Sequence, residues 1–265
     1  MQKLTNMSIN VIRDTIINKG SKILNVYFTA GYPSLNDTTD IICGLSDAGV
    51  DLIELGMPYS DPLADGLTIQ QSSETALKNG MNLTLLFSQV KAARSKTEVP
   101  IIAMGYYNQL LQYGVEKFLK DASGAGINGM IIPDLPMPVY EREYVPLFEK
   151  YDLSISFLIS PMTSEERIHQ ADRLSSAFIY VVSQSSITGK SDDITPQQKA
   201  YFSRIKNLNL SSPTLIGFGI HDQNTFDIAC YYSHGAIVGS AFIRALNSEL
   251  PIQNRINNFV KSVRP

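Results

Sequence analysis

Short runs of β-branched and aromatic residues alternate along this chain with longer stretches whose apolar residues recur at helical spacing. Each short run ends in, or is followed within two residues by, Gly, Pro, Asp or Ser, which are residues that end strands and form turns. The pattern predicts eight strands: Ile23 to Thr29, Asp51 to Leu55, Pro100 to Met104, Gly129 to Pro133, Ser154 to Ile159, Ala177 to Ser183, Pro213 to Phe218 and Ala236 to Gly239.

The stretches between these runs predict helices, and Ser164 and Asp222 stand where helix N-caps are expected. The helix predicted from Thr68 to Lys96 is interrupted at Asn79-Gly80. The other predicted helices are Leu35 to Ala48, Val115 to Ala125, Val139 to Tyr151, Ser164 to Leu174, Pro196 to Asn207, Asp222 to Tyr232 and a tail from Ser240 to Val263.

Strands that are apolar on both faces and separated by helices indicate a parallel sheet covered on both sides. Eight such units are typical of a (β/α)₈ TIM barrel, so we expect an α/β fold with residues 1–265 in one domain. An extra N-terminal helix, from Ser8 to Lys19, is expected to cover the barrel floor. A doubly wound open sheet is the alternative architecture.

Composition restricts the function classes. The 265 residues are 44% hydrophobic and 18% charged, and the net charge of −3 argues against a nucleic-acid partner. No apolar stretch reaches the roughly 20 residues that span a bilayer, and Met1 to Gly20 does not resemble a signal peptide. Cys43 and Cys230 are interpreted as buried thiols of a reducing, cytoplasmic protein, and the three scattered histidines indicate no metal site.

A carboxylate interrupts the apolar run from Asp51 to Leu55. Alternation along a strand puts Leu52 and Glu54 on one face, so Glu54 projects into an apolar layer or into a site. Asp65 follows in the next loop, at the same strand end, and two carboxylates there indicate acid–base chemistry. The structural alternatives are a Glu54 satisfied by neighbouring hydroxyl groups and an Asp65 that caps the helix beginning near Thr68.

The last two strands end in residues typical of a phosphate site, which TIM barrels commonly form at this position. Glycines let backbone N–H groups approach phosphate oxygens, and Ser240 begins a helix whose N-terminal dipole favours an anion. The candidates are Gly217, Gly219, Gly239 and Ser240, with Gly189 as a third wall. The alternative is that these glycines only form tight turns.

A long polar loop from Ser183 to Lys190 is interpreted as a lid that contributes Thr188. Apolar and aromatic residues are expected to form a hydrophobic pocket at the barrel mouth, although each also suits a core position. They are Tyr27, Ile131, Phe157, Tyr180 and Phe218, with Met104 and Tyr106 as further candidates.

Together these residues resemble the tryptophan synthase alpha chain family over almost the whole length. The most characteristic match is Glu54-Leu-Gly-Met-Pro-Tyr-Ser-Asp-Pro-Leu-Ala-Asp-Gly66, followed by Thr68-Ile-Gln70. Further matches follow in order: Phe28-Thr-Ala-Gly-Tyr-Pro33, Met104-Gly-Tyr-Tyr-Asn108, Pro133-Asp-Leu-Pro136, Thr188-Gly189, Gly217-Phe-Gly-Ile220 and Gly239-Ser-Ala241.

The resemblance implies a lyase that splits indole-3-glycerol phosphate into indole and glyceraldehyde 3-phosphate by retro-aldol cleavage, without a cofactor. It implies Glu54 as the general acid/base and Asp65 as the anion at the indole nitrogen. It also implies phosphate binding by Gly189, Gly219, Gly239 and Ser240, ordering of the lid by Thr188, and an indole pocket that includes Tyr180 and Phe218.

The resemblance further implies a partner, the pyridoxal-phosphate-dependent beta chain, in an alpha2-beta2 heterotetramer with an internal indole channel. The loops after the second, third and sixth strands are expected at that interface, with Pro58 and Asp134-Leu-Pro136 at matching positions. Three residues depart from common family patterns: Leu67 replaces a proline, Gln184 an arginine and Ser186 a glycine.

Two other functions remain open from the residues. One is a sugar-phosphate isomerase or epimerase, which would use the same phosphate site; an absence of metal ligands and of a histidine at the barrel rim argues against it. The other is a non-catalytic subunit that activates a partner, against which the retained Glu54 and Asp65 argue.

Overall fold

The sheet of this protein closes into the expected TIM barrel. The computed structural model describes residues 10–62, 65–183, 194–217 and 219–265. Within them, parallel strands lie in the spatial order β5-β4-β3-β2-β1-β9-β8-β7-β6. Their bounds are β1 Ile23–Thr29, β2 Leu52–Gly56, β3 Ile101–Met104, β4 Gly129–Ile131, β5 Ser154–Ser156, β6 Leu158–Ile159, β7 Ile179–Val182, β8 Thr214–Gly217 and β9 Gly235–Val238. Strands β5 and β6 lie at the two ends of this order, and only Phe157 separates them along the chain. The strand predicted from Ser154 to Ile159 therefore contributes to both edges of the sheet and closes the barrel.

Helices follow the strands and form the outer layer. They are α1 Val11–Lys19, α2 Asp37–Asp47, α3 Leu67–Lys78, α4 Leu83–Ala93, α5 Tyr107–Tyr113, α6 Val115–Ala125, α7 Met137–Val139, α8 Val145–Lys150, α9 Glu165–Leu174, α10 Pro196–Asn207, α11 Gln223–Tyr232, α12 Ser240–Ala245 and α13 Ile252–Val263. The predicted N-caps are confirmed, because Ser164 accepts a hydrogen bond from the Arg167 N–H and Asp222 accepts one from the Thr225 N–H.

Two predicted helices are wrong in detail, and prolines explain both. The helix predicted from Val139 to Tyr151 contains a π-helical turn, Tyr140–Tyr144, directly before α8, whose early Pro146 has no N–H to donate. The predicted tail from Ser240 to Val263 is two helices, because Pro251 stands at the N-cap of α13. Helix α5 was not predicted.

The barrel has an inner apolar layer and an outer one. The inner layer joins residues such as Ile23 and Leu52 to Ile12 and Ile16 of α1, which are fully buried. Helix α1 therefore covers the floor, as expected, and its N-cap Asn10 donates to the Ser176 carbonyl over 2.6 Å. The outer layer packs the opposite strand faces against the helices.

The alternation of strand faces decides which predicted pocket residues reach the interior. Ile131 belongs to the inner layer and is fully buried. The prediction for Phe157 is wrong: its ring packs in the outer layer against Tyr140, with 5.3 Å between ring centroids. Its neighbour Ile155 lies in the same outer layer, as period-two alternation requires.

Other global expectations concern membranes, metals and cysteines. In the part of the chain that the structure describes, no helix is both long and apolar enough to cross a membrane. The same residues contain no group of three or more His, Cys, Asp or Glu side chains placed to hold a metal ion. Cys43 and Cys230 are free thiols, and burial raises the pKa of Cys230 to about 11.

Candidate active site

Glu54 lies inside the barrel near the end of β2. Its side chain is 1% exposed, and its register partner on β1 is Tyr27. Oε2 accepts a hydrogen bond from Nδ2 of Asn25 over 3.2 Å. Oε1 has no hydrogen-bond partner among the residues that the structure describes. The alternative of a carboxylate satisfied by hydroxyl groups therefore does not describe this side chain.

The surroundings of Glu54 favour its protonated form. Burial removes water from the carboxyl and raises the pKa of Glu54 to about 8. The hydrogen bond from Asn25 opposes this shift, and the nearby carboxylate of Asp65 adds a smaller contribution in the upward direction. At neutral pH the group consequently holds a proton that it can give and take back.

Asp65 is anchored by its neighbours at the barrel mouth. Its Oδ2 accepts a hydrogen bond from the Tyr106 hydroxyl over 3.0 Å, and its carbonyl accepts one from Nε2 of Gln70 over 2.8 Å. Burial raises the pKa of Asp65, while the Tyr106 hydrogen bond lowers it. The N-cap of α3 is Gly66, so Asp65 does not cap that helix as the structural alternative required.

Two buried tyrosines stand beside the carboxylates, and glycines make room for both. A Cβ at Gly56 would lie 2.2 Å from the Tyr27 hydroxyl, and one at Gly217 would lie 2.4 Å from the Tyr180 hydroxyl. Burial and the charges of Glu54 and Asp65 raise the pKa of both phenols, which are therefore neutral. Gly217, which the sequence offered as a phosphate residue, thus has a packing role.

Tyr106 extends an aromatic wall from Asp65 toward the surface. Its ring stacks on Tyr59 with 5.0 Å between centroids, and the Tyr59 hydroxyl accepts a hydrogen bond from Asn108 over 3.0 Å. Asp134 accepts a hydrogen bond from the Tyr107 N–H over 2.8 Å. A small cavity beside Asp65 is lined by Tyr27, Met57, Asp65, Ser73, Met104, Gly105, Tyr106 and Pro133.

The phosphate candidates lie at the ends of neighbouring strands. Gly217 of β8 is paired with Ile237 of β9, and Gly219 and Gly239 each follow two residues later. Gly219 has φ +78°, and a Cβ there would meet open space. Gly239 is the N-cap of α12, which no described side chain caps, and Ser240 is its first residue. This edge leaves backbone N–H groups available to an anion.

Several predicted site residues fall outside the described part of the chain. They are Thr188, Gly189 and Phe218, together with the family departures Gln184 and Ser186. Leu67 is described; it begins α3 and is 75% exposed.

Two residues near the site did not follow from the sequence reasoning. Asn25 donates a hydrogen bond to Glu54. The sequence feature that indicates it is a polar residue two positions before Tyr27, and therefore on the same face of the strand. His221 stands two residues after Gly219, so the inference that the rim lacks a histidine is wrong. Its Nδ1 lies 3.0 Å from the Gly219 carbonyl, and its Nε2 lies 3.7 Å from Asp222.

Comparison with known proteins gives one consistent family. The model of the family described as tryptophan synthase alpha chain matches residues 14–263. A tryptophan synthase alpha chain of Christiangramia forsetii is 51% identical over 248 residues, which are 94% of this chain and 96% of the relative. That of Flavobacterium johnsoniae is also 51% identical over 248 residues, covering 94% and 97%.

Solved structures agree with the sequence relatives. The tryptophan synthase alpha chain of Legionella pneumophila subsp. pneumophila superposes with a TM-score of 0.86 at 29% identity, covering 97% of this chain and 96% of that one. A chain of tryptophan synthase from M. tuberculosis, in an aminoacrylate-bound form, superposes with a TM-score of 0.82 at 28% identity, covering 96% and 99%.

Proposed function

The chain belongs to the tryptophan synthase alpha chain family, and on that premise we propose that it cleaves indole-3-glycerol phosphate to indole and D-glyceraldehyde 3-phosphate by a retro-aldol reaction. Family membership makes it a lyase of tryptophan biosynthesis. The observation that supports this reaction most directly is Glu54, a buried carboxyl with one unpaired oxygen and a pKa near 8, inside an aromatic-walled barrel mouth.

Glu54 acts as the general acid and then as the general base. The protonated carboxyl gives its proton to the ring carbon that carries the glycerol chain, which breaks the aromaticity of the pyrrole ring. The resulting carboxylate takes the proton of the adjacent glycerol hydroxyl while the carbon–carbon bond breaks. The bonding electrons return to the ring, an aldehyde forms, and Glu54 is protonated again, as the raised pKa favours.

Asp65 stabilises the cation formed in the first step. Protonation at carbon makes the indole nitrogen positive, and a carboxylate hydrogen-bonded to that N–H stabilises the charge as it develops. The Tyr106 hydroxyl supports this role, because it donates to Oδ2 and favours the anionic form of Asp65. The two carboxyls therefore have different tasks: Glu54 moves the proton and Asp65 keeps its charge.

The remaining predicted residues bind the substrate. Tyr27, Tyr106, Ile131, Tyr180 and Phe218 form the indole pocket. Gly189, Gly219, Gly239 and Ser240 bind the phosphate, and Thr188 orders the lid over the site. The open edge at Gly219 and Gly239 supports the phosphate site.

The protein works with the tryptophan synthase beta chain, in an alpha2-beta2 heterotetramer through which indole passes. It acts in the cytoplasm and requires no cofactor of its own. Family membership supports this partner, and the free Cys43 and Cys230 are consistent with a reducing compartment.

Indole release from indole-3-glycerol phosphate, measured with and without a beta chain, tests the reaction. We expect release in both conditions, faster with the beta chain, and release in neither would defeat the assignment. Glu54→Gln should lose at least about 10²-fold in kcat, because an amide cannot move the proton. Glu116→Gln, at an exposed carboxylate paired with Lys150, is the matched control and should retain wild-type kcat.

A further inference from the structure

Asn25 is the closest polar partner of Glu54. Both side chains are buried, at 0% and 1% exposure, and Nδ2 of Asn25 donates to Oε2 of Glu54 over 3.2 Å. Among the described residues, Oδ1 of Asn25 and Oε1 of Glu54 have no hydrogen-bond partner. A polar pair buried in this way, with one satisfied and two unsatisfied oxygens, needs a reason, because each unpaired group costs free energy.

The register places the amide on the floor side of the carboxyl. Tyr27 is paired with Glu54, and Asn25 is paired with Leu52, one inward-facing pair closer to the floor. Below that pair, Ile12 and Ile16 of α1 close the barrel with apolar side chains. Asn25 therefore approaches Glu54 from the closed end of the barrel and leaves the mouth side to substrate.

We propose that Asn25 is a positioning residue for Glu54, whose carboxamide holds one carboxyl oxygen from the floor side in both protonation states and leaves Oε1 to exchange the proton with substrate. A carboxamide suits this task because it carries two donor hydrogens and one acceptor oxygen. Nδ2–H donates to Oε2 of the carboxylate, and it still donates to Oε2 of the protonated acid, because that oxygen remains an acceptor while the proton is on Oε1. This inference rests on the proposed role of Glu54 as the proton carrier.

The hydrogen bond has a measurable effect on titration. It stabilises the carboxylate and opposes the upward pKa shift that burial causes. Among the residues that the structure describes, the other titratable groups facing Glu54 are Asp65 from the loop after β2, Tyr27 from β1 and Tyr180 from β7. Both phenols stay neutral, so the charge of Asp65 adds to the upward effect of burial and the hydrogen bond from Asn25 opposes both.

The test is a direct titration of the Glu54 carboxyl by ¹³C NMR, in substrate-free protein labelled at glutamate side-chain carboxyls. The signal that disappears in Glu54→Gln identifies the residue. Asn25→Leu, which keeps the side-chain length but removes the amide, should raise the Glu54 midpoint by about one pH unit or more. Asn25→Val is the second variant, with a β-branched side chain suited to a strand.

The control is Ser175→Ala, which removes a buried hydroxyl that accepts from the Phe157 N–H at the opposite end of the barrel. It should leave the Glu54 midpoint unchanged. In cleavage assays, both Asn25 variants should lower kcat at neutral pH by about tenfold or more and shift its pH profile upward, with little change in KM.

The outcomes separate this inference from the proposed function. A folded Asn25→Leu or Asn25→Val protein whose Glu54 midpoint equals that of the wild type overturns the role of Asn25. If Glu54→Gln releases indole at the wild-type rate, the catalytic role of Glu54 fails instead. The NMR titration still reports whether Asn25 and Glu54 are coupled, because it needs no activity.

Discussion

The Tyr27 hydroxyl occupies the space in which any side chain at Gly56 would begin. A Cβ built on Gly56 lies 2.2 Å from that oxygen and 2.6 Å from the ring carbon bearing it. Tyr27 lies on β1 and Gly56 on the neighbouring strand β2. The register partner of Tyr27 on β2 is Glu54, two residues before Gly56. The ring can lie across β2 beside the Glu54 carboxyl only because position 56 carries no side chain.

Gly56→Ala should displace Tyr27 and disturb the indole pocket. Overpacking of this kind costs about 1–3 kcal/mol in free energy of unfolding, and we expect a higher KM for indole-3-glycerol phosphate as the ring moves. Gly124→Ala, on the exposed face of α6 where a Cβ meets nothing within 4 Å, is the control. It should be neutral or stabilising by up to about 1 kcal/mol. An unchanged KM and stability in Gly56→Ala would contradict the argument.

The floor helix should contribute to stability rather than to chemistry. Ile12 is fully buried in the inner layer, so Ile12→Ala should lower the free energy of unfolding by about 2–5 kcal/mol, with kcat unchanged in protein that remains folded. Ile17 of the same helix is 52% exposed, and Ile17→Ala should change stability by less than about 0.5 kcal/mol. Denaturant unfolding followed by circular dichroism measures both; equal effects would show that α1 does not seal the barrel.

Most of the fold could be predicted because apolar periodicity is local. Strand β1 and helices α6 and α10 have the predicted bounds, and the N-caps Ser164 and Asp222 follow from local hydrogen bonding. The missed helix, α5, is only seven residues long and begins directly after the rim residue Tyr106. The prediction for Phe157 fails because period-two alternation puts it on the same outward face as Ile155.

The sequence predicts which residues lie at the carboxyl ends of the barrel strands, but it does not predict which of them contact one another. That reasoning placed Glu54 and Asp65 at one end of the barrel, but not their partners. The Asp65–Tyr106 bond joins residues 41 positions apart, and the Asn25–Glu54 bond joins neighbouring strands. Such contacts depend on register and on closure of the sheet, which no local pattern encodes. The packing role of Gly217 likewise depends on the position of the Tyr180 ring, which lies on a neighbouring strand.

Tyr106→Phe should weaken the anionic form of Asp65. Loss of the hydrogen bond to Oδ2 raises the pKa of this carboxyl further, so the acidic limb of the kcat profile should move to higher pH. Because a hydrogen bond to a charged group contributes enough free energy, we expect its removal to lower kcat/KM about tenfold or more at neutral pH. Tyr113→Phe removes the same kind of bond, from Tyr113 to Asp121, at the outer surface and should leave the pH profile unchanged. Identical profiles for both variants would refute the role of Tyr106.

Glu54 should lower the stability of the protein above mildly acidic pH. Its pKa is about 8 in the folded protein, against an ordinary value of 4.5 that we take for the unfolded chain. Between these values the folded protein keeps a proton that the unfolded chain has lost, so raising the pH favours unfolding. The penalty is absent below about pH 4.5, grows up to about pH 8 and is constant above it.

Glu54→Gln removes this penalty because its amide does not titrate. The variant should therefore exceed the wild type in free energy of unfolding by roughly 3–5 kcal/mol at pH 8.5, with the difference vanishing near pH 4.5. Urea unfolding across this range is the measurement. Glu116→Gln is the control: the Lys150 ammonium and Tyr151 hydroxyl lower the pKa of Glu116, so any pH dependence that it introduces lies below pH 4.5. A difference in free energy of unfolding between Glu54→Gln and wild type that stays constant from pH 5 to 8.5 would mean that Glu54 is ionised throughout. Glu54 would then have no proton to donate in the proposed acid step.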